Sequence, residues 1–138
     1  MILVIDANSV IAAIIKDSKA RKIIVSGEFT LVSPEFLTEE VGKYNAYIIR
    51  KSGMSKEELN LLITLLLKHI HILPRDEYED KIEEAKLMMT DDVLDVPYVA
   101  VYLALKCDGV WTNDRHYESK EKIKVFKTGS LLKMIGEQ

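Results

Sequence analysis

The sequence predicts an α/β domain, a three-layer α/β/α sandwich around a central parallel sheet of four to five strands. Three observations carry this expectation. The first strand candidate, Ile2-Leu3-Val4-Ile5, is apolar without alternation, as in a parallel strand covered on both faces. Strand candidates and capped helical segments then alternate along the chain, the pattern of a parallel sheet with helices on both sides. The 138 residues suit a single domain, residues 1–138, large enough to bury a core without disulfides or a structural metal.

The elements follow in order. After Asp6, Asn8 or Ser9 can cap a helix through Val10, Ile11, Ile14 and Ile15, and Ser18 can cap the next, which stops at Gly27. Phe29 to Val32 reads as the second strand, and Ser33-Pro34 then supplies a cap and an N1 proline for a long helix ending near Gly53. Ser55-Lys56-Glu57-Glu58 is a capping box for a helix through His69, and His71 to Leu73 reads as a short strand. Asp76 with Glu79 repeats the capping-box pattern for a helix through Met89. Asp91 and Asp92 break the chain, and Asp95 caps a helix apolar almost all round, from Val96 to Leu105, which should be buried. Gly109 to Thr112 and Ile123 to Phe126 complete the strands, and a last helix runs from about Ser130 to Ile135.

Composition narrows the function classes. With 48% hydrophobic and 30% charged residues, the chain can fold around a core and is not of the disordered type. No basic n-region precedes the first strand, and the apolar run Leu61 to Leu67 is too short to span a bilayer, so no membrane role and a cytoplasmic location are expected. The single Cys107 excludes an intramolecular disulfide and a cysteine-based zinc site, and its apolar helical setting suits a buried, inert thiol in a reducing compartment. A net charge of −3 argues weakly against nucleic-acid binding, which usually draws on surplus Lys and Arg. An acidic metal site lowers net charge while its bound cations restore attraction for phosphate.

In open parallel sheets, ligands bind outside the carboxyl ends of the strands, where strand order reverses. Four carboxylates can reach that edge. Asp6 directly follows a buried strand, and Asp114 closely follows another, beyond Thr112, whose hydroxyl can orient a neighbouring carboxylate or phosphate. Each of these aspartates alone also suits a turn. On the third helix, Leu37, Val41, Tyr44 and Ile48 form one apolar stripe. By the 3.6-residue period Glu40 lies about 60° from the centre of that stripe and Glu39 about 160° away. A carboxylate at the edge of a buried face is costly unless compensated, so Glu40 is the functional candidate of the pair. Asp95, taken alone, reads first as an ordinary N-cap, a role that can coexist with one in the site, and Asp92, three residues earlier, either faces the same site or is solvated in its turn. Clustered carboxylates persist at neutral pH only with protons or cations to neutralise them. Hard oxygen donors suit Mg²⁺ or Mn²⁺ better than Zn²⁺, and two such ions side by side can activate water and stabilise the leaving oxygen of a phosphodiester.

These residues resemble the motifs of the PIN-domain family over essentially the whole chain. Ile5-Asp6-Ala7-Asn8-Ser9-Val10 resembles the first motif, with Asp6 as metal ligand and Asn8 in a frequent polar position. Pro34 to Val41 resembles the second, with Glu40 as ligand. Asp95-Val96-Pro97-Tyr98-Val99-Ala100 resembles the third, with Asp95 as ligand, and Trp111-Thr112-Asn113-Asp114 the fourth, with Thr112 and Asp114 as site residues. The resemblance implies a metal-dependent, single-strand-selective ribonuclease. Many stand-alone domains of this length in the family are VapC-type toxins, often dimeric and held inactive by a small antitoxin protein.

With RNA as substrate, Arg115, His116 and Lys43 are candidates for holding the backbone, although His116 also suits an exposed loop residue. His69 and His71 read as structural, without a third ligand nearby. Tyr44, Tyr47, Tyr98 and Tyr102 suit base stacking less well than core or homodimer-interface positions. The alternatives are a non-catalytic RNA-binding or scaffold module with the same fold, and an RNA-processing nuclease without an antitoxin. Receiver-like and phosphatase folds also place an aspartate after the first strand, but Asp6-Ala7-Asn8 lacks their paired acid.

Overall fold

The first strand, expected to be covered on both faces, lies at the centre of the sheet. In the computed structural model of the chain, which describes residues 1–15, 18–117 and 120–136, β1 (Ile2–Ile5) pairs in parallel with β2 (Thr30–Pro34) on one side and β4 (Gly109–Trp111) on the other. β3 (Ile70–Leu73) and β5 (Val125–Phe126) extend it to a five-stranded parallel sheet of order β3-β2-β1-β4-β5. Leu3 faces both Leu31 and Gly109 in the register, and Leu3, Val4 and Ile5 are fully enclosed. Covering on both faces explains a run with no polar alternation. Asp108 locks the start of this register by accepting a hydrogen bond from Ile2 N at 2.7 Å.

Helices flank the sheet in two groups. α1 (Ala7–Ile15) contacts α2 (Ser18–Ser26), α3 (Phe36–Lys43), α4 (Asn45–Ser52) and α5 (Lys56–Leu67), and α8 (Thr128–Met134) joins through α2. α7 (Val96–Ala104) packs against β1, β2 and α6 (Ile82–Met88). This is the expected α/β/α arrangement. Among the described residues, no helix is long and apolar enough to cross a membrane.

Several local expectations needed correction. Asn8 and Ser9 lie inside α1, and Asp6 caps it, accepting from Ser9 N at 2.9 Å. The cap expected of Ser18 rests on a side chain outside the described residues. Ser33 and Pro34 do not open a helix. They remain in β2 because β3 pairs with them, Ser33 with Ile72 and Pro34 with Leu73, and a proline is tolerated at a strand's end. The long helix to Gly53 is two helices, broken at Tyr44 (φ −100°, ψ 8°). Tyr44 therefore leaves the stripe that Leu37, Val41 and Ile48 keep buried and turns to solvent beside Tyr47, with ring centroids 6.5 Å apart. Gly53 closes α4 at φ 74°, the left-handed position where glycine costs least. The Ser55–Glu58 capping box is present in both directions. Asp76 and Glu79 cap nothing: two short 3-10 turns, Arg75–Glu77 and Glu79–Lys81, precede α6 instead. α7 is buried through Val101, half-buried from Tyr102 to Ala104, and Leu105 beyond it is exposed.

Cys107 is buried, and burial, with Asp108 beside it, pushes its thiol up to about 11, consistent with an inert core residue. Gly109, at the start of β4, is required by close approach. A Cβ there would lie 2.4 Å from Phe126 Cε2 and 3.1 Å from the Lys124 carbonyl oxygen, whereas at Gly129 in α8 it would meet nothing within 4 Å. In urea unfolding, Gly109→Ala is expected to lose about 1–3 kcal/mol through overpacking, while Gly129→Ala is neutral or slightly stabilising. Equal effects of the two would show that Phe126 does not press on the β4 backbone.

Candidate metal centre

Strand order reverses between β1 and β4, so the carboxyl ends of these two strands open the crevice in which such sheets bind ligands. Asp6 is the residue after β1 and Thr112 the residue after β4, and both are buried. The Thr112 hydroxyl donates to Asp6 Oδ2 and accepts from Asp114 N at 3.0 Å, so one side chain fixes both aspartates. Burial raises the Asp6 pKa, the hydrogen bonds from Thr112 and Ser9 pull it down, and the charge of Asp114 raises it again.

The second group arises where two connections meet. Asp95 was expected to cap α7. Its backbone is instead helical (φ −84°, ψ −13°), its side chain caps nothing, and Asp92 caps the preceding 3-10 turn Val93–Asp95 by accepting from Leu94 N at 3.2 Å. The Asp95 carboxylate is thereby released toward the site, where Oδ2 is buried without a hydrogen-bond partner. Burial, then Asp92 and Asp114, pushes its pKa up to about 7, with the Tyr117 hydroxyl pulling the other way. That hydroxyl is likewise buried and falls short of a hydrogen bond.

Opposite lies the turn after β4. Asp114 Oδ1 accepts from His116 N at 2.9 Å, and His116 Nδ1 lies 2.9 Å from Asp92 Oδ2 and 3.2 Å from Asp114 Oδ1. Asp92, Asp95, Asp114 and His116 each offer a ligand atom within 4.8 Å of all the others.

Glu40 closes the site from α3. The Tyr98 hydroxyl donates to Glu40 Oε1. Burial raises the Glu40 pKa, the bond from Tyr98 and the charge of Lys43 oppose it, and Asp6 and Asp92 add to the rise. Glu39 is solvent-exposed, as the helical period implied.

The four expected carboxylates thus meet at one edge and sense one another's charge. Among the described residues, however, the metal-capable group contains Asp92 and His116 rather than Asp6 and Glu40. Asn8 is exposed on the first turn of α1. Arg115 and Lys43 are exposed, with Lys43 Nζ 5.8 Å from the Phe36 ring centre, while His116 turns its Nδ1 to the carboxylates. His69 and His71 are exposed and outside the group. Sequence reading missed Tyr98 and Tyr117 as members of the site. The available signal for Tyr98 was a tyrosine one turn after Asp95 on the face of a buried helix, where a phenol hydroxyl needs a partner. The donor set fits a hard divalent cation: several carboxylate oxygens raise one another's pKa, and one of them is buried and unpartnered.

No curated protein matches the chain significantly. Among solved structures, the chain is similar to one described as VapBC2 from Rickettsia felis bound to a DNA fragment from their promoter. The TM-score is 0.70 and the identity 13%, over 92% of this chain and 98% of that one. At that identity the likeness speaks to the fold. The chain matches the PIN domain family over residues 4–124, a span that holds every carboxylate of the site, and the chain therefore belongs to the PIN domain family.

Proposed function

We propose that the chain is a divalent-metal-dependent endoribonuclease that hydrolyses phosphodiester bonds of single-stranded RNA, and that it is the toxin of a two-protein toxin–antitoxin pair. PIN domains are generally nucleases. The observation that carries the catalytic reading is the half-buried Asp95 carboxylate, withheld from helix capping, with its Oδ2 buried and unpartnered among Asp92 and Asp114. A carboxylate so placed is costly in a merely structural role. The toxin reading is supported by the likeness to a structure described as a VapBC complex.

Asp6, Glu40, Asp95 and Asp114, bordered by Asp92, would hold Mg²⁺ or Mn²⁺. When bound, such ions neutralise phosphate charge and acidify the attacking water. The chain's own residues set the stage. Thr112 orients Asp6 and Asp114 together, and Tyr98 holds Glu40 at the inner edge of α3. Both Asp6 oxygens accept hydrogen bonds, yet an ionised carboxylate keeps further lone pairs for a cation. Arg115 and Lys43 supply exposed positive charge for the RNA backbone. Their number is small, so affinity for RNA depends on the cations.

Purified protein is expected to cut a labelled single-stranded RNA with Mn²⁺ or Mg²⁺, and not with EDTA. Asp95→Asn and Asp114→Asn should each lower the rate more than about 100-fold, because losing even a residue that orients a ligand costs roughly 10–100-fold. Thr112→Val and Tyr98→Phe should fall in that smaller range. If no RNA is cut with either metal and calorimetry detects no metal binding, the chain is a non-catalytic module of the same fold.

Induced expression is expected to arrest growth with the wild type and not with Asp6→Asn. Unimpeded growth despite cleavage in vitro would favour an RNA-processing role without an antitoxin. We also propose a homodimer, in keeping with the exposed Tyr44, Tyr47, Leu61 and Leu65. A monomer mass in light scattering at working concentration would remove it.

A further inference from the structure

We propose that His116 is a nitrogen ligand of the divalent cation in this site and tilts its preference from Mg²⁺ toward first-row transition metals. The inference rests on the metal-dependent reading above and goes beyond it, because that reading assigns only oxygen ligands.

The imidazole is exposed over 59% of its side chain, yet its Nδ1 faces inward, 2.9 Å from Asp92 Oδ2 and 3.2 Å from Asp114 Oδ1. Adjacent ligands of an octahedral ion with bonds of about 2.1 Å lie about 3 Å apart, and opposite ones about 4.2 Å. Both measured separations match the adjacent spacing, and all four ligand atoms fall within 4.8 Å of one another. The ring is already placed for this role. Its own backbone N–H is held by Asp114 Oδ1 at 2.9 Å, and the connections carrying Asp92 and His116 are tied a second time by Lys120 Nζ to Asp91 Oδ1 at 3.1 Å.

A simple surface ion pair would account for the two short contacts, but it would not account for what lies beneath them. Tyr117 is only 1% exposed, and its hydroxyl and the neighbouring Asp95 Oδ2 are both buried without completing a hydrogen bond. A buried carboxylate oxygen left without a full hydrogen bond, beside two further carboxylates, is costly unless a further polar species completes the site. As a ligand through Nδ1, the neutral ring keeps its hydrogen on the outer Nε2, where water can accept it. Imidazole suits transition-metal ions, whereas Mg²⁺ favours oxygen donors and keeps its water, so a nitrogen at this position discriminates between them.

The test uses Mn²⁺ as the paramagnetic probe on the intact purified chain. Pulsed electron paramagnetic resonance is expected to show ¹⁴N modulation from a directly bound imidazole, replaced by the ¹⁵N pattern when histidine alone is ¹⁵N-labelled. His116→Gln should abolish it and weaken Mn²⁺ binding about tenfold more than Mg²⁺ binding in calorimetric titration. The labelled wild type makes the result independent of how well the variant folds. Mn²⁺ bound without histidine modulation, or equal weakening of both ions in His116→Gln, overturns the His116 ligand and leaves the metal-dependent nuclease intact. Failure to bind Mn²⁺ at all overturns both.

Discussion

A carboxylate buried at the end of the central strand constrains much of the rest of this molecule. Asp6 is nearly as enclosed as the isoleucine before it, and an ionised carboxylate in such a place is tolerated only with hydrogen bonds or a cation to compensate. Its partners come from two directions. Ser9 N reaches it because α1 begins immediately, and Thr112 reaches it because β4 lies beside β1 in parallel with Ile5 opposite Trp111. The chain must therefore cross the sheet to place β4 beside β1, and Gly109 must admit the Phe126 ring close to the β4 backbone. The interaction that solves the problem of Asp6 is also the one that orients Asp114, since Thr112 Oγ1 accepts from Asp114 N.

The same economy governs the acidic group as a whole. Asp92 caps the 3-10 turn ahead of α7, while α7 itself begins without a side-chain cap and Asp95 faces the site. Tyr98, one turn along α7, restrains Glu40 on α3, and the Tyr98 ring packs edge-on against Phe36 of that helix at 6.3 Å between centroids. Asp6 and Glu40 are thus each held by a neighbour on a different element, and Asp114 by Thr112 and His116 of its own turn. Four acids from four segments can be kept within range of one another only when those segments are rigid, and here three of the four follow or flank strands β1 and β4 or the buried start of α7.

Much of this was legible in the residues. The continuous apolar run of Ile2–Ile5 implied a parallel sheet, and strand ends located Asp6 and the neighbourhood of Asp114. The helical period separated buried-edge Glu40 from solvent-facing Glu39. What failed were readings in which local capping rules met tertiary demand. Ser33-Pro34 has the form of a helix start, but pairing with β3 keeps it extended. Asp76 with Glu79 has the form of a capping box, but two tight turns precede α6 there.

What the sequence alone determined was periodic and local: the alternation that sets the layers, the buried central strand, the helix face that carries Glu40, and the Ser55 capping box. What only the tertiary structure decided was which acids share a cation-sized space. His116 and Asp92 are distant in sequence and sit in two turns with no periodicity of their own, and they meet because β4 and the start of α7 converge at the same edge of the sheet. The 2.9 Å between His116 and Asp92, on separate connections, depends on the packing of the whole sheet, and no short-range pattern in the chain records it.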